Sequence, residues 1–112
     1  MKYEMKLHNN PFNLINSGSK TIELRLYDEK RQMINVGDTI TFENRSDGDK
    51  IKVKVIALHK YPNFEELYKH FNKVSMGYKE DEEANPKDME LYYSSEEQSK
   101  YGVVGIEMEL IK

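Results

Sequence analysis

Apolar and polar positions alternate along much of this chain, and each run predicts one short element. Residues 2–8 (KYEMKLH) place Tyr3, Met5 and Leu7 on one face and predict a first strand. Asn10-Pro11 comes next. Asparagine suits the cap of a helix, and proline suits its first turn, where no N–H is needed. Phe12, Leu14 and Ile15 supply the inward side of that helix, and Gly18 ends it by accepting a left-handed backbone.

Thr21 to Tyr27 predicts a strand with two unlike faces. Ile22, Leu24 and Leu26 form the apolar one, while Thr21, Glu23, Arg25 and Tyr27 form the polar one. Residues 28–36 read as a charged connection, Gly37-Asp38 as a turn, and Thr39 to Glu43 as another strand. The run Ser46-Asp47-Gly48-Asp49 predicts the turn of a hairpin into residues 50–60. Alternation there breaks at Val55-Ile56-Ala57-Leu58, as a bulge or two-sided burial requires where a sheet curls.

The last third changes character. Asn63 with Glu66 is a capping-box-like pair opening a short helix that carries Phe64, Leu67, Tyr68 and Phe71. Residues 72–86 read as a loop or lid with four acidic residues at 80–83, most simply a solvated run. Asn85-Pro86 starts another helical segment, and Ser95 with Gln98 predicts a capping box for a helix ending near Gly102. Val104, Ile106, Met108 and Leu110 then define a closing strand. Strands mixed with short helices, and no internal repeat, predict one α+β domain over residues 1–112. Its centre is a small curled sheet or barrel, not a doubly wound fold.

Composition narrows the function classes. With 112 residues there is room for one core. No apolar run is long enough for a membrane helix, and the start lacks a signal-peptide stretch. The absence of cysteine excludes disulfides, thiolate metal sites and cysteine nucleophiles, and fits a reducing cytoplasm. The three histidines, His8, His59 and His70, show no metal-ligand spacing, and no cofactor motif is present, so neither metal nor cofactor is expected. Net charge is −3, which argues against a strongly basic nucleic-acid binder. The charge is uneven, however: residues 1–60 hold 11 basic and 8 acidic side chains, and residues 61–112 hold 6 and 12. A positive surface in the first half is therefore compatible with the negative average.

The segment Gly18 to Arg25 (GSKTIELR) holds the candidate chemistry. Glu23 and Arg25, two apart on a strand, share a face, and Lys20 lies on the loop just before it. An ammonium, a carboxylate and a guanidinium then converge if the loop bends inward. Lys20 would serve as a base or nucleophile, Glu23 would accept from an amine, and Arg25 would bind a phosphate or carbonyl. The plainer reading is a solvated Glu23–Arg25 ion pair worth about 0.2–1 kcal/mol. Tyr27 on the same face, and Tyr92 or Tyr93 in the helical insertion, are candidates to stack a base. One of the last two is expected to be a core anchor instead.

The order SGSKTIELRL, VGDTITF, HKYPNFEELY and YGVVGIEMEL resembles the ASCH family of the PUA-like superfamily along essentially the whole chain. The motif residues are Gly18, Lys20, Thr21, Glu23, Arg25, Gly37 and Asp38. The resemblance implies a PUA-like β-barrel, a mixed and curled five- to six-stranded sheet with short helices capping its ends. It further implies a cleft for RNA or a modified nucleotide lined by the Lys20, Glu23 and Arg25 segment, to which Thr21, Tyr27 and Tyr93 are added as candidate ligand-binding residues. It also implies an alternative activity. Some small bacterial members are amidohydrolases that remove the acetyl group of N4-acetylcytidine, using the motif lysine, a threonine three residues later and a distal glutamate. Lys20 matches the lysine, and Glu23 stands where those enzymes carry threonine. In that reading Lys20 and Glu23 are the catalytic pair, and Glu80, Glu82, Glu83 and Glu90 remain open for the distal position.

Overall fold

The structure is a computed structural model that describes residues 1–111. Its five strands are β1 (Lys2–Leu7), β2 (Ile22–Leu26), β3 (Thr39–Asn44), β4 (Lys50–Tyr61) and β5 (Val103–Leu110). Between them lie α1 (Asn9–Asn16), α2 (Glu29–Gln32), α3 (Phe64–Tyr68) and α4 (Ser95–Tyr101), with a 3₁₀ helix over Pro86–Leu91. The strands form one mixed sheet in the order β1-β3-β4-β5-β2, in which only the β1–β3 pair is parallel. No helix among the described residues is long and apolar enough to cross a membrane.

Alternation builds a separate core on each face of the sheet. Met5, Leu7, Ile40, Phe42, Val53, Val55, Val104, Ile106 and Met108 pack with Phe12 and Ile15 of α1. Ile22, Leu24, Leu26 and Val103 pack on the opposite side with Phe64 and Leu67 of α3. Each fully buried side chain of this size contributes about 1.5–3 kcal/mol. Strand β5 feeds both cores because both of its faces are covered, with Val104 and Ile106 in the larger core and Val103 in the smaller, and its first four residues are all buried. The break in alternation within β4 is a bulge. The β4–β5 register shifts between Val55 and Ala57, and the extra residue Ile56 turns outward, 41% exposed. A bulge increases local twist, and the sheet curls into a half-barrel whose two edges, β1 and β2, line one cleft.

Three helix starts differ from the sequence reading. The cap of α1 falls on His8 instead of Asn10, with Phe12 N–H donating to the His8 carbonyl at 3.1 Å. Asn9 and Asn10 are drawn into the first turn, where the Asn9 side-chain oxygen accepts from buried Asn44 at 2.9 Å and ties the helix to the end of β3. The charged connection contains a turn of helix, α2, capped by Asp28, which accepts from Arg31 N–H at 3.1 Å. The capping box of α4 is formed by Ser94 and Glu97, one residue earlier than Ser95 and Gln98. Gln98 is buried instead, accepting from Phe64 N–H and donating to the Tyr93 carbonyl, both at 3.2 Å. That amide joins α3 to the segment carrying the tyrosines.

Gly105 sits where β2, β5 and α3 meet. A Cβ there would lie 3.1 Å from Ile22 Cγ2 and 3.5 Å from Leu67 Cδ1. Gly105→Val is expected to lower stability by about 1–3 kcal/mol in urea unfolding, through overpacking. Combined with Ile22→Ala, which removes the clashing methyl, the loss should be smaller than the sum of the two single losses.

Candidate functional site

Lys20 reaches its place through backbone contacts that the loop after α1 makes. Gly18 takes φ +87°, and Lys20 N–H turns back to donate to the Leu14 carbonyl at 3.0 Å. Thr21 and Ile22 N–H both donate to the Ser75 carbonyl, at 2.9 and 3.0 Å, docking this loop against residues 72–78. The Lys20 side chain is thereby buried beneath Gly77, and Nζ donates to the Met76 carbonyl at 2.8 Å. Gly77 has φ +111°, and a Cβ on it would lie 3.3 Å from Lys20 Nζ, so both conformation and space select glycine there.

Glu23 lies between two cations. Its Oε1 is 3.3 Å from Lys20 Nζ, while Oε2 accepts from Arg25 Nε at 3.0 Å and from the terminal guanidinium nitrogen at 2.8 Å. In the β2–β5 register Glu23 faces Ile106 and Arg25 faces Val104. Both polar residues therefore project from the same sheet face as the larger core. Burial raises the Glu23 pKa, but the charges of Lys20 and Arg25 outweigh it, and the carboxyl lies below its ordinary value. The triad is ionised and carries one net positive charge.

The triad borders a cleft of about 610 Å³ at the seam between the two sheet edges. Lys6 and Leu7 of β1 line it together with Glu23, Leu24 and Arg25 of β2. Tyrosines from the helical insertion complete the wall. Tyr93 stacks on Phe64 at 6.0 Å between centroids and borders the Arg25 guanidinium. Tyr92 is 61% exposed beside it and is free to present its ring. Deeper in the insertion, Tyr68 and Tyr78 share a hydrogen bond of 2.9 Å, and Tyr78 donates to Asp88 at 2.8 Å. Burial pushes both hydroxyls up in pKa, so they remain neutral.

The structure thus brings Lys20, Glu23, Arg25 and Tyr93 together and places Thr21 and Tyr27 elsewhere. Thr21 is exposed and held through its backbone. Tyr27 lies beyond the end of β2, packs against the larger core and carries the Lys60 ammonium 4.8 Å above its ring. Of the four glutamates left open by sequence, Glu82 lines the cleft, and its carboxylate accepts from Lys79 N–H at 2.8 Å. His8, Arg45, Tyr78 and Asp88 also line it. His8 ends the strand that the sequence predicts over residues 2–8 and caps α1 in the structure. Arg45 had no local signal, because it arrives only through the parallel pairing of β1 with β3, where its N–H donates to the Leu7 carbonyl. No group of three or more possible metal ligands occurs among the described residues.

Glu23→Gln leaves two buried cations sharing no anion, and at neutral pH it is expected to cost about 3–5 kcal/mol. Because the native Glu23 pKa is depressed, the wild-type advantage is complete above the unfolded value. It is lost as pH falls through the native value. Urea unfolding at pH 7 and pH 3 should show the gap between the two proteins closing at the lower pH.

The fold accords with known proteins. A family model described as "ASCH domain" matches residues 5–112. No curated protein matches the chain. The crystal structure of a hypothetical protein designated PH0355 is similar over 99% of this chain and 100% of its own, at 36% identity and a TM-score of 0.83. The solution NMR structure of protein PF0455 from Pyrococcus furiosus is similar over 100% of this chain and 99% of its own, at 35% identity and a TM-score of 0.74. With the sequence motif, the curled sheet and the whole-chain match in agreement, the chain belongs to the ASCH domain family.

Proposed function

We propose that this ASCH domain binds RNA or a nucleotide, taking one unstacked base into the seam cleft. The observation that carries the reading is the buried Lys20–Glu23–Arg25 triad beside an exposed tyrosine. An ammonium has three donors, and two of the three at Lys20 are engaged by Met76 and Glu23. Arg25 spends two of its five on Glu23. The remaining donors suit the carbonyl and ring-nitrogen acceptors of a base edge, and Glu23 retains one acceptor position for an exocyclic amine. Tyr92 supplies the stacking surface, a contact worth about 1–3 kcal/mol per base.

What favours binding over amide hydrolysis is the state of the same carboxylate. Glu23 is held ionised by two cations, so it has no proton to give a leaving amine. It also stands where the hydrolytic members carry a threonine hydroxyl. Lys20 is likewise engaged by a carbonyl and a carboxylate, which occupy two of its donors.

Titration with nucleosides and short single-stranded RNA tests the reading. Wild type should bind saturably, and Tyr92→Ala should weaken binding roughly 5- to 100-fold, the equivalent of one stacked base, with unfolding unchanged. Incubation with N4-acetylcytidine should release no cytidine above background. Release that depends on Lys20 would establish the hydrolase instead, and an absence of binding by the wild type would overturn the module reading.

A further inference from the structure

A second groove, of about 410 Å³, adjoins the cleft on the far side of Arg25. Lys6, Arg25 and Arg45 line both cavities, so the two are adjacent and share a wall. Lys30, Arg31 and Lys50 extend the basic lining, against only two carboxylates, Glu4 and Glu43. On a chain of net charge −3 this is a strong local inversion of sign.

Much of that charge is uncompensated. Arg25 is neutralised by Glu23 and Arg31 by Asp28, at 2.8 and 2.9 Å. Glu43 is shared at long range by Lys6 and Lys50, at 3.9 and 4.0 Å, contacts of little energetic weight at these exposures. Lys30 and Arg45 make no ion pair among the described residues. Arg31 adds an independent sign: its Nε is buried, yet has no hydrogen-bond partner among the described residues. A buried donor left unmade costs on the order of 1–3 kcal/mol, which an anionic oxygen would relieve only through a shift of the side chain that exposes Nε.

We infer that this groove is a phosphodiester subsite, holding the backbone that flanks the base in the cleft. The inference rests on the base-binding reading for the identity of the strand, and on its own residues for the phosphate. Phosphate oxygens would meet Lys30, Lys50 and Arg31, while Arg25 and Arg45 stand at the junction between backbone and base. The ligand is then a nucleotide within a strand, and a free nucleoside fills only half of the site.

The test uses Lys30→Glu/Lys50→Glu, two exposed residues that line the groove and not the cleft. Affinity is measured against salt for a nucleoside, a short mixed-sequence oligoribonucleotide and an abasic strand of equal length. Two reversed lysines should weaken both strands about tenfold or more at low salt and flatten the log–log salt dependence by roughly 1 to 1.5. Nucleoside binding should be unchanged. Strand binding equal to wild type, with the same salt slope, overturns the subsite, as does a wild type with no affinity for either strand. Tyr92→Ala separates the two readings, since it should weaken the nucleoside and the RNA but leave the abasic strand alone. If it changes none of the three while the lysine reversal still weakens both strands, the base cleft fails and the phosphate groove stands.

Discussion

A carboxylate buried in a curled sheet can stay ionised only if cations are buried with it, and Glu23 imposes that demand on everything around it. One of its partners, Arg25, comes at no topological cost, since it lies two residues along the same strand and on the same face. The other, Lys20, must be carried in from a loop, and an isolated buried ammonium would be as costly as the carboxylate. The Met76 carbonyl shares the load, Gly77 leaves the space, and the Ser75 carbonyl holds the loop. The docking of residues 72–78 against the start of β2 is therefore an electrostatic requirement as much as a packing one.

That requirement also explains why the site lies at the seam. Strands β1 and β2 are the free edges of the sheet, and the bulge at Ile56 curls them toward a common opening. Closing the barrel would have paired those edges and filled the space between them. Leaving it open produces a concave region with polar backbone on both sides and side chains from several separate segments, which is how ligand sites commonly arise at barrel mouths. The helical insertion supplies aromatic rings, anchored by Phe64 against Tyr93 and by the hydrogen bond from Tyr78 to Asp88. Rigid neighbours then surround one exposed ring, Tyr92.

The hydrogen-bonded tyrosines and the basic groove give the seam two chemically distinct ends. One is rich in tyrosine and carries Glu82 and Asp88; the other is lined mainly by cations. Arg25 lies between them and lines both. A base with its phosphate presents the same succession of an apolar face and an anionic oxygen, and the order of residues along the seam follows it.

Local pattern was sufficient for the strands, for the glycine after α1, for the position of the break in β4 though not for its being a bulge, and for the shared face of Glu23 and Arg25, because a period of two and a turn residue act over a few positions. It misplaced the caps of α1 and α4 because long-range partners intervened: Asn44 recruits Asn9, and Phe64 recruits Gln98, each more than thirty residues away. Whether Lys20 was buried or solvated was likewise undecidable from its neighbours, since a carbonyl 56 residues on holds it. By itself, then, the chain's sequence determined its strands, the order of most of its helices, its family and two members of the triad. Only the tertiary structure decided that Lys20 completes that triad, that Tyr92 and not Tyr27 faces the cleft, and that Arg45 joins it. Those outcomes depend on which sheet edges meet across the seam, a relation between distant segments that no local period encodes.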